Sequence, residues 1–186
     1  MGLFLLLSLW IKPDWVKAQT PISGVINSYE QITAIFGPTT ITVSSSSPFS
    51  VSDLVLIIQM QDATVDITNT VTFGSVQSYN SAGLMEFNTI ASVTGTTITL
   101  VNTLANTYNP TAGLQIIKVS EYTGGGAVIA GTVSALNWNG TTGGVIALKA
   151  TTLDFGSRAR SPKPRRCCLA QAVSGGCSRR LTSWRA

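Results

Sequence analysis

The chain contains no histidine, and its first 157 residues contain neither cysteine nor arginine. The absence of histidine removes the usual general base near neutral pH and the commonest metal ligand. It also excludes the Ser-His-Asp and Cys-His sets of nucleophilic catalysis. Because no cysteine precedes Cys167, no disulfide can link two parts of the body. These absences favour a protein that is not an enzyme.

The few charges that are present, 11% of the sequence, divide unevenly. Residues 1–157 hold four lysines and all eight acidic residues, a net charge of −4. Residues 158–186 hold seven arginines, one lysine and no acid, a net charge of +8. The sequence pI of 9.2 therefore reflects the tail, and we expect no nucleic-acid partner for the body.

A nine-residue apolar run, Leu3–Ile11, stands near the start of the chain. A membrane-spanning helix needs about 20 such residues, whereas the core of a signal peptide needs roughly 7–15. Val16 and Ala18 then form a small-x-Ala cleavage pattern. The sequence predicts a signal peptide over 1–18, a secreted or cell-surface location and no membrane span after its removal; a buried N-terminal element is the alternative.

The body from Gln19 to about Thr152 is rich in Thr, Val, Ile and Ser, with Gly, Asn and Pro at short intervals. This composition predicts an all-β fold, with a small antiparallel β-barrel or sandwich over 19–122. The predicted strands are Thr39–Ser44, Leu54–Gln61, Leu84–Val93, Thr96–Val101 and Leu114–Tyr122. The continuous apolar run Leu54–Ile58 predicts burial on both faces, and Thr94-Gly95 suits a tight hairpin.

Two stretches of the body resemble each other. "TTITV" followed by "LVLIIQM" is echoed by "TTITL" followed by "LQIIKV", offset by 57 and 59 residues. Such an echo favours a duplicated strand–loop–strand unit in a pseudo-symmetric barrel. Chance likeness between strands rich in Thr, Ile and Val is the alternative.

A glycine-rich region with short alternating strands occupies residues 123–157. Along "GGVIALKATTLDF", alternation places Val145, Ala147 and Lys149 on one side of a strand and the residues between them on the other. Short strands joined by Gly-rich corners are typical of a β-solenoid, which buries its apolar faces by stacking coils. The region is therefore predicted to be the start of a β-solenoid.

A family resemblance rests on "FSVSDLVLIIQMQDATVD", "SYNSAGLMEFNTIASVTGTTITL", "LQIIKVSEYT" and "LNWNGTTGGVIALKA". These stretches, within roughly 19–156, resemble the N-terminal region of large secreted surface proteins of Bacteroidetes-type and related bacteria. Many members look like adhesins or gliding-associated proteins with a sorting domain for type IX secretion. The resemblance implies the surface of a Gram-negative bacterium and carries over no catalytic residue. Ser52 stands where the family has Gly.

The basic segment 158–186 has three interpretations. It could be a basic arm for an anionic partner, or a metal or redox site built from Cys167, Cys168 and Cys177. Structural zinc sites use four ligands, usually in spaced pairs, which three cysteines without histidine do not supply. Glycine codons read one base out of frame give Arg, Trp, Ala and Val. We therefore expect a non-native reading frame or a disordered tail.

Two sites remain as candidates in the body. Asp62 and Asp66 in "QDATVDIT" could flank a Ca²⁺, with Asn69 adding an oxygen; solvated loop carboxylates are the alternative, and no other cofactor is expected. Trp138 in "NWNGT" could stack on a sugar ring, or could be a half-buried residue that closes the barrel. Asn139-Gly140-Thr141 also matches a glycosylation acceptor.

Together these features predict a non-catalytic, secreted cell-surface fragment with a structural or adhesive role. Its expected partners are cell-surface components or polysaccharide. The alternative is the N-terminal part of a secreted carbohydrate-active β-solenoid enzyme whose carboxylates lie in further coils.

Overall fold

The computed structural model describes residues 18–155 and, as backbone, residues 167–172. The predicted signal peptide and most of the predicted basic tail lie outside these residues. The described part is all-β, which confirms the predicted fold class. Among the residues described, no helix is long and apolar enough to cross a membrane.

Fourteen strands are described. Their bounds are β1 Thr20–Val25, β2 Ser28–Ile35, β3 Thr40–Val43, β4 Leu54–Gln59, β5 Thr64–Val65, β6 Val76–Ser78, β7 Met85–Thr94, β8 Thr97–Leu100, β9 Leu114–Lys118, β10 Ser120–Tyr122, β11 Ala127–Ser134, β12 Val145–Ala150, β13 Leu153–Asp154 and β14 Cys167–Ala172. Six of them, β3, β4, β7, β8, β9 and β10, fall where the sequence predicts strands; β9 and β10 together occupy the single predicted strand Leu114–Tyr122.

Six strands close into an antiparallel barrel in the order β2-β3-β8-β7-β4-β9. Closure leaves none of these six strands with an unpaired edge. The interior is filled by aliphatic side chains with two aromatic rings. Its buried members are Ile32, Ile41, Val43, Phe49, Val55, Ile57, Ile90, Ile98, Leu100, Tyr108, Leu114 and Ile116.

The barrel has an internal two-fold arrangement that matches the sequence echo. Exchanging β2, β3 and β4 for β7, β8 and β9 reproduces the same order of strands around the barrel. The equivalent residues of the two units lie directly opposite each other, since Ile41 pairs with Ile98 and Ile57 with Ile116. The topology is therefore the one that a duplicated unit predicts.

Two stacks of parallel strands lie outside the barrel, in the orders β1-β11-β13 and β10-β12-β14; β1 precedes the barrel strands in the chain and the others follow them. The chain passes from one stack to the other at each step from β10 to β14, which is the path of a solenoid coil. The interior between the stacks is small and aliphatic, with Ile22, Ala127, Ala135, Ile146, Leu148 and Ala150 buried. Residues 19–25 and 120–122, which the sequence assigns to the barrel domain, thus pair with coil strands.

The corners of the coil stack on one another through glycine. Thr151 Oγ1 donates to the Thr123 carbonyl at 2.8 Å, and Ala127 N–H donates to the Thr152 carbonyl at 2.8 Å. A Cβ at Gly126 would lie 2.0 Å from Thr152 Oγ1. Only glycine fits at position 126, where φ is also +87°.

Strand β12 is buried on both faces. Val145 and Ala147 pack against the outside of the barrel with Leu56 and Ile117, while Ile146 and Leu148 face the coil interior. The alternation predicted for β12 is therefore confirmed. So is the double burial of the run Leu54–Ile58, because Val55 and Ile57 point into the barrel and Leu56 points towards β12.

Three side chains hold the backbone of β12 and of the turn before it: Tyr29 and Gln115 from barrel strands, and Asn27 from the link between β1 and β2. Strand β10 pairs with β12 only from Leu148 onwards. Before that point, Asn27 accepts from Ala147 N–H at 3.0 Å and donates to the Ala147 carbonyl. Gln115 exchanges two hydrogen bonds with Gly143, at 2.8 and 3.0 Å, and Tyr29 Oη donates to the Val145 carbonyl at 2.6 Å.

These three side chains are buried or nearly so, and burial raises the pKa of the Tyr29 hydroxyl. Asn27 also donates to the Lys118 carbonyl at 2.9 Å, so one amide joins β9 to β12. Buried backbone groups must find partners. Here amide and hydroxyl side chains supply the partners that a longer β10 would have supplied.

Some elements carry no clear sequence signal. In β2, a bulge between Ile32 and Ala34 breaks the alternation of buried and exposed residues, so the pattern does not predict a strand. Within the segment predicted as a disordered tail, Cys167–Ala172 forms β14 and pairs in parallel with all of β12. The rest of that prediction lies outside the described residues.

We expect Gly143→Ala to be more destabilising than Gly140→Ala. Both glycines have φ near +100°, so both substitutions carry the same backbone cost. A Cβ at Gly143 would lie 2.6 Å from the Asn137 carbonyl oxygen, whereas nothing lies within 4 Å of one at Gly140. The expected difference is about 1–3 kcal/mol, measured by urea denaturation. Equal losses would show that the turn before β12 adapts freely.

Candidate functional site

The predicted residues Asp62 and Asp66 both belong to one projecting arm. The arm spans residues 62–81 between β4 and β7 and contains the short antiparallel pair β5-β6. Gln59 fixes its start, because its buried amide donates to the carbonyls of Gln61 and Ala112 at 2.8 and 2.6 Å. The arm therefore leaves the barrel from a defined point.

Asp62 ties the two ends of the arm together. Its Oδ2 accepts from Ser81 N–H at 3.0 Å and its Oδ1 from Asn109 Nδ2 at 2.8 Å. Asn80 Nδ2 donates to its carbonyl at 2.8 Å. The hydrogen bond from the Ser81 backbone, followed by that from Asn109, lowers the pKa of this carboxyl group.

Asp66 organises the tip of the arm through a closed ring of hydroxyl groups. Thr68 donates to its Oδ1 from both N–H and Oγ1, at 2.8 and 2.6 Å. Thr72 Oγ1 donates to its Oδ2 at 2.6 Å. Thr70 Oγ1 bridges the two threonines at 3.2 and 2.8 Å. Hydrogen bonds from the Thr68 and Thr72 side chains lower the pKa of Asp66.

These contacts give both carboxylates a structural role within the arm. Every carboxylate oxygen of Asp62 and Asp66 accepts at least one hydrogen bond from the chain itself. Within residues 18–155, no group of three or more His, Cys, Asp or Glu side chains could hold a metal ion. Calcium at this pair stays a prediction that nothing in the structure tests.

The outer surface of the arm is apolar and exposed. The exposed fractions of Ile67, Val71 and Phe73 are 80%, 105% and 68%, and Val65, Val76 and Tyr79 are exposed as well. Residues 63–80 contain only one charged residue, Asp66, which the hydroxyl ring holds. Exposed apolar patches mark interaction sites, so this surface, called the arm surface below, is the stronger candidate for a functional site.

The sequence predicted loop carboxylates at Asp62 and Asp66 but not the apolar surface that this loop exposes. In "DITNTVTF", Ile67, Val71 and Phe73 lie at alternate positions, with Asn69 interrupting the series, and this pattern also fits a half-buried strand. In the structure, Asp66, Thr68, Thr70 and Thr72 hydrogen-bond to one another inside a curled loop, and the apolar residues between them face outwards. The run of alternate threonines after an aspartate is the signal that could have indicated this loop.

Trp138 lies in the loop between β11 and β12 and is half-buried. Its Cβ and the Met60 Cε would each be 3.7 Å from a Cβ on Gly144, so Trp138 lies beside the turn that leads into β12. It does not belong to the barrel core. Asn139 orders the loop by accepting from Thr141 N–H and Thr142 N–H at 2.9 Å each. Sugar stacking on Trp138 stays a prediction.

A cleft of about 360 Å³ lies where the barrel meets the coil, lined in part by Pro48, Asp53, Lys118 and Glu121. Its charges are paired within the chain. Lys118 Nζ lies 2.7 Å from Asp53 Oδ2 and donates to the Pro48 carbonyl at 3.3 Å, and Glu121 pairs with Lys149 at 2.8 Å. This pairing indicates a structural role for the cleft.

No family model and no curated protein matches the chain. Among solved structures it is similar to the tailspike gp49 of Pseudomonas phage LKA1, with 16% identity, a TM-score of 0.34, and coverage of 70% of this chain and 20% of the tailspike. The gp54 tailspike of Acinetobacter baumannii phage AP22, in complex with A. baumannii capsular saccharide, gives 15% identity, a TM-score of 0.35, and coverage of 69% of this chain and 21% of the tailspike.

The Pseudomonas phage phi297 tailspike gp61 gives 10% identity, a TM-score of 0.33, and coverage of 68% and 20%. The chain thus spans about a fifth of the length of these tailspikes.

The order of the arm should depend on the charge of Asp66. Because its folded pKa lies below the usual 3.8, its carboxylate stabilises the arm above that pH, and the stabilisation is lost as pH falls through the lowered value. We expect the Thr68 amide resonance to titrate with a midpoint below 3.8. Asp66→Asn should abolish that titration, and a midpoint at or above 3.8 would contradict the ring.

Proposed function

We propose that the chain is the mounting part of a non-enzymatic, secreted cell-surface protein. In this role the barrel fixes the first coil of a β-solenoid, and the arm surface makes adhesive contacts. The observation that carries the proposal is the double burial of β12 between the barrel wall and the coil interior. The absence of histidine from the sequence agrees with a role that involves no bond chemistry.

A mounting role explains why the barrel wall is apolar on both sides. A solenoid coil has an apolar face that it cannot bury alone and normally covers by stacking. Leu56 and Ile117 cover the first full coil strand from the barrel side, and Asn27 and Gln115 fix its position along the barrel. The coil then starts from a rigid support with its direction set.

The arm surface supports the adhesive part of the proposal. Asp62 and Asp66 hold the loop in one shape, so little conformational entropy is lost when its apolar residues are covered. Phe73 and Tyr79 are broad, exposed rings that suit the apolar faces of sugars as well as apolar protein surfaces. Cell-surface components or polysaccharide of a Gram-negative bacterium are the partners that we propose.

The mounting role predicts slow amide exchange in β12. Hydrogen–deuterium exchange of residues 143–150 should be as slow as that of β4 and β9. Asn27→Ala removes the side chain that pairs the buried N–H and carbonyl of Ala147, at a cost of about 1–3 kcal/mol, so exchange in β12 should accelerate while β3 and β8 are unchanged. Asn69→Ala, at an exposed loop position, is the control. Fast exchange of β12 in the unmodified chain would refute a rigid mount.

The adhesive role predicts that Phe73→Ser reduces binding to isolated Gram-negative cell envelopes, measured by co-sedimentation. Burial of one large apolar side chain contributes about 1.5–3 kcal/mol, so binding should weaken at least about tenfold. Phe36→Ser is a matched control, because Phe36 is also exposed but lies at the β2–β3 turn, outside the arm. Equal binding by both variants would remove the arm surface from the contact.

A further inference from the structure

The exposed side chain of Asn139, in the β11–β12 loop, makes four hydrogen bonds within the loop. Its Oδ1 accepts from Thr141 N–H, Thr141 Oγ1–H and Thr142 N–H, each at 2.9 Å. Its Nδ2 donates to Thr142 Oγ1 at 3.3 Å. Three donors that converge on one carbonyl oxygen polarise the C=O bond and stabilise negative charge on that oxygen, as in an oxyanion hole.

The next residue can act as a nucleophile towards this carbonyl. The backbone nitrogen of a residue that follows asparagine can attack Cγ and close a five-membered succinimide. Gly140 has no Cβ to obstruct the approach, and nothing lies within 4 Å of the position that a Cβ would occupy. Among the described residues, none accepts a hydrogen bond from Gly140 N–H.

We propose that Asn139 is a site of spontaneous deamidation promoted by the hydrogen bonds to its Oδ1. A bond forms between Gly140 N and Asn139 Cγ, the Cγ–Nδ2 bond breaks, and the proton of Gly140 N leaves with the departing nitrogen as ammonia. Water then adds to either imide carbonyl and opens the ring. The products are aspartate and isoaspartate, and no oxidant, metal or enzyme takes part.

Isoaspartate at position 139 would disturb the contacts that hold β12 against the barrel. It adds one methylene to the main chain between residues 139 and 140. The loop is held across this point by Asn139 N–H to the Thr142 carbonyl at 3.2 Å and Gly144 N–H to the Leu136 carbonyl at 2.8 Å. Gly143, whose backbone is held by Gln115, follows immediately. The longer chain displaces Gly143 from the Gln115 amide, so β12 loses its first anchor.

The chain contains its own control in Asn109-Pro110-Thr111. Asn109 Oδ1 accepts from Thr111 N–H and Thr111 Oγ1 at 3.1 and 2.7 Å, which is the same local arrangement. Proline has no N–H, so its nitrogen cannot close the ring. Asn109 should therefore stay intact under conditions that convert Asn139.

The test is peptide mapping by mass spectrometry of the full chain, aged in mildly alkaline buffer made with oxygen-18 water. We expect the peptide that carries Asn139 to gain the label and to yield aspartate and isoaspartate, while Asn109 and exposed Asn69 stay unlabelled. Faster amide exchange of β12 in the aged protein than in the fresh protein would show that the conversion loosens the attachment of β12 to the barrel. Absence of conversion at Asn139, or an equal rate at Asn69, overturns the proposal.

Two variants separate promotion by the hydrogen bonds from loop flexibility. Thr141→Val removes the hydroxyl donor and keeps the shape, so conversion should slow by roughly threefold to tenfold. A loop that deamidates merely because it is flexible would convert as fast or faster in this variant, which would contradict the proposal. Gly140→Ala places a methyl group beside the attacking nitrogen and, at a φ of +101°, strains the turn that brings it to Cγ, so conversion should slow by about tenfold or more.

Discussion

The structure depends on the burial of one strand, β12, between two apolar surfaces. Burial on both faces removes Val145, Ile146, Ala147 and Leu148 from water together, and it also hides the backbone. Hidden N–H and C=O groups cost free energy unless they are paired. Asn27, Tyr29 and Gln115 supply those pairs over the length that β10 does not reach. Without these polar groups, the apolar contact would bury unsatisfied backbone.

The two-fold arrangement of the barrel explains how one wall can serve both the barrel and the coil. Strands β4 and β9 are equivalent members of the two units, and they pair with each other along the wall that faces β12. Each contributes one aliphatic face to the barrel interior and another to the outside. The two inner residues at the centre, Ile57 and Ile116, have exposed fractions of 1% and 0%. The wall is therefore fully buried on its inner side where β12 packs against its outer side.

The sequence predicted the parts of this architecture that depend on local patterns. The run Leu54–Ile58 indicated double burial, the echo of "TTIT" indicated the two-fold units, and alternation indicated the faces of β12. The hydrogen bonds from Asn27, Tyr29 and Gln115 to the backbone before and within β12 could not be predicted. Asn27 and Ala147 are 120 residues apart, and an asparagine between two strands is expected to be an ordinary loop residue. For the same reason, no local pattern of β1 identifies β11 as its partner.

The candidate site was predicted only in part. Asp62 and Asp66 were singled out as a pair because acidic residues close in sequence suggest a cation. In the structure their oxygens accept hydrogen bonds from Ser81, Asn109, Thr68 and Thr72, and calcium binding at this pair stays a prediction. The identity of hydrogen-bond donors to a carboxylate depends on how a loop curls, which residue types alone do not determine. The exposure of the apolar arm surface depends on the same curl of the loop around Asp66.

The pairing of β1 has a consequence for how the chain is made. Thr20 pairs with Ala127 and Val25 with Ser134. Because β1 precedes the barrel strands and β11 follows them, β1 has no partner until the whole barrel has been translated. A waiting strand is exposed to pairing with other nascent chains. The residues of β1, Thr-Pro-Ile-Ser-Gly-Val, bury only Ile22, and Pro21 and Gly24 disfavour self-association. The composition of β1 therefore disfavours pairing of this segment with other chains before β11 has been synthesised.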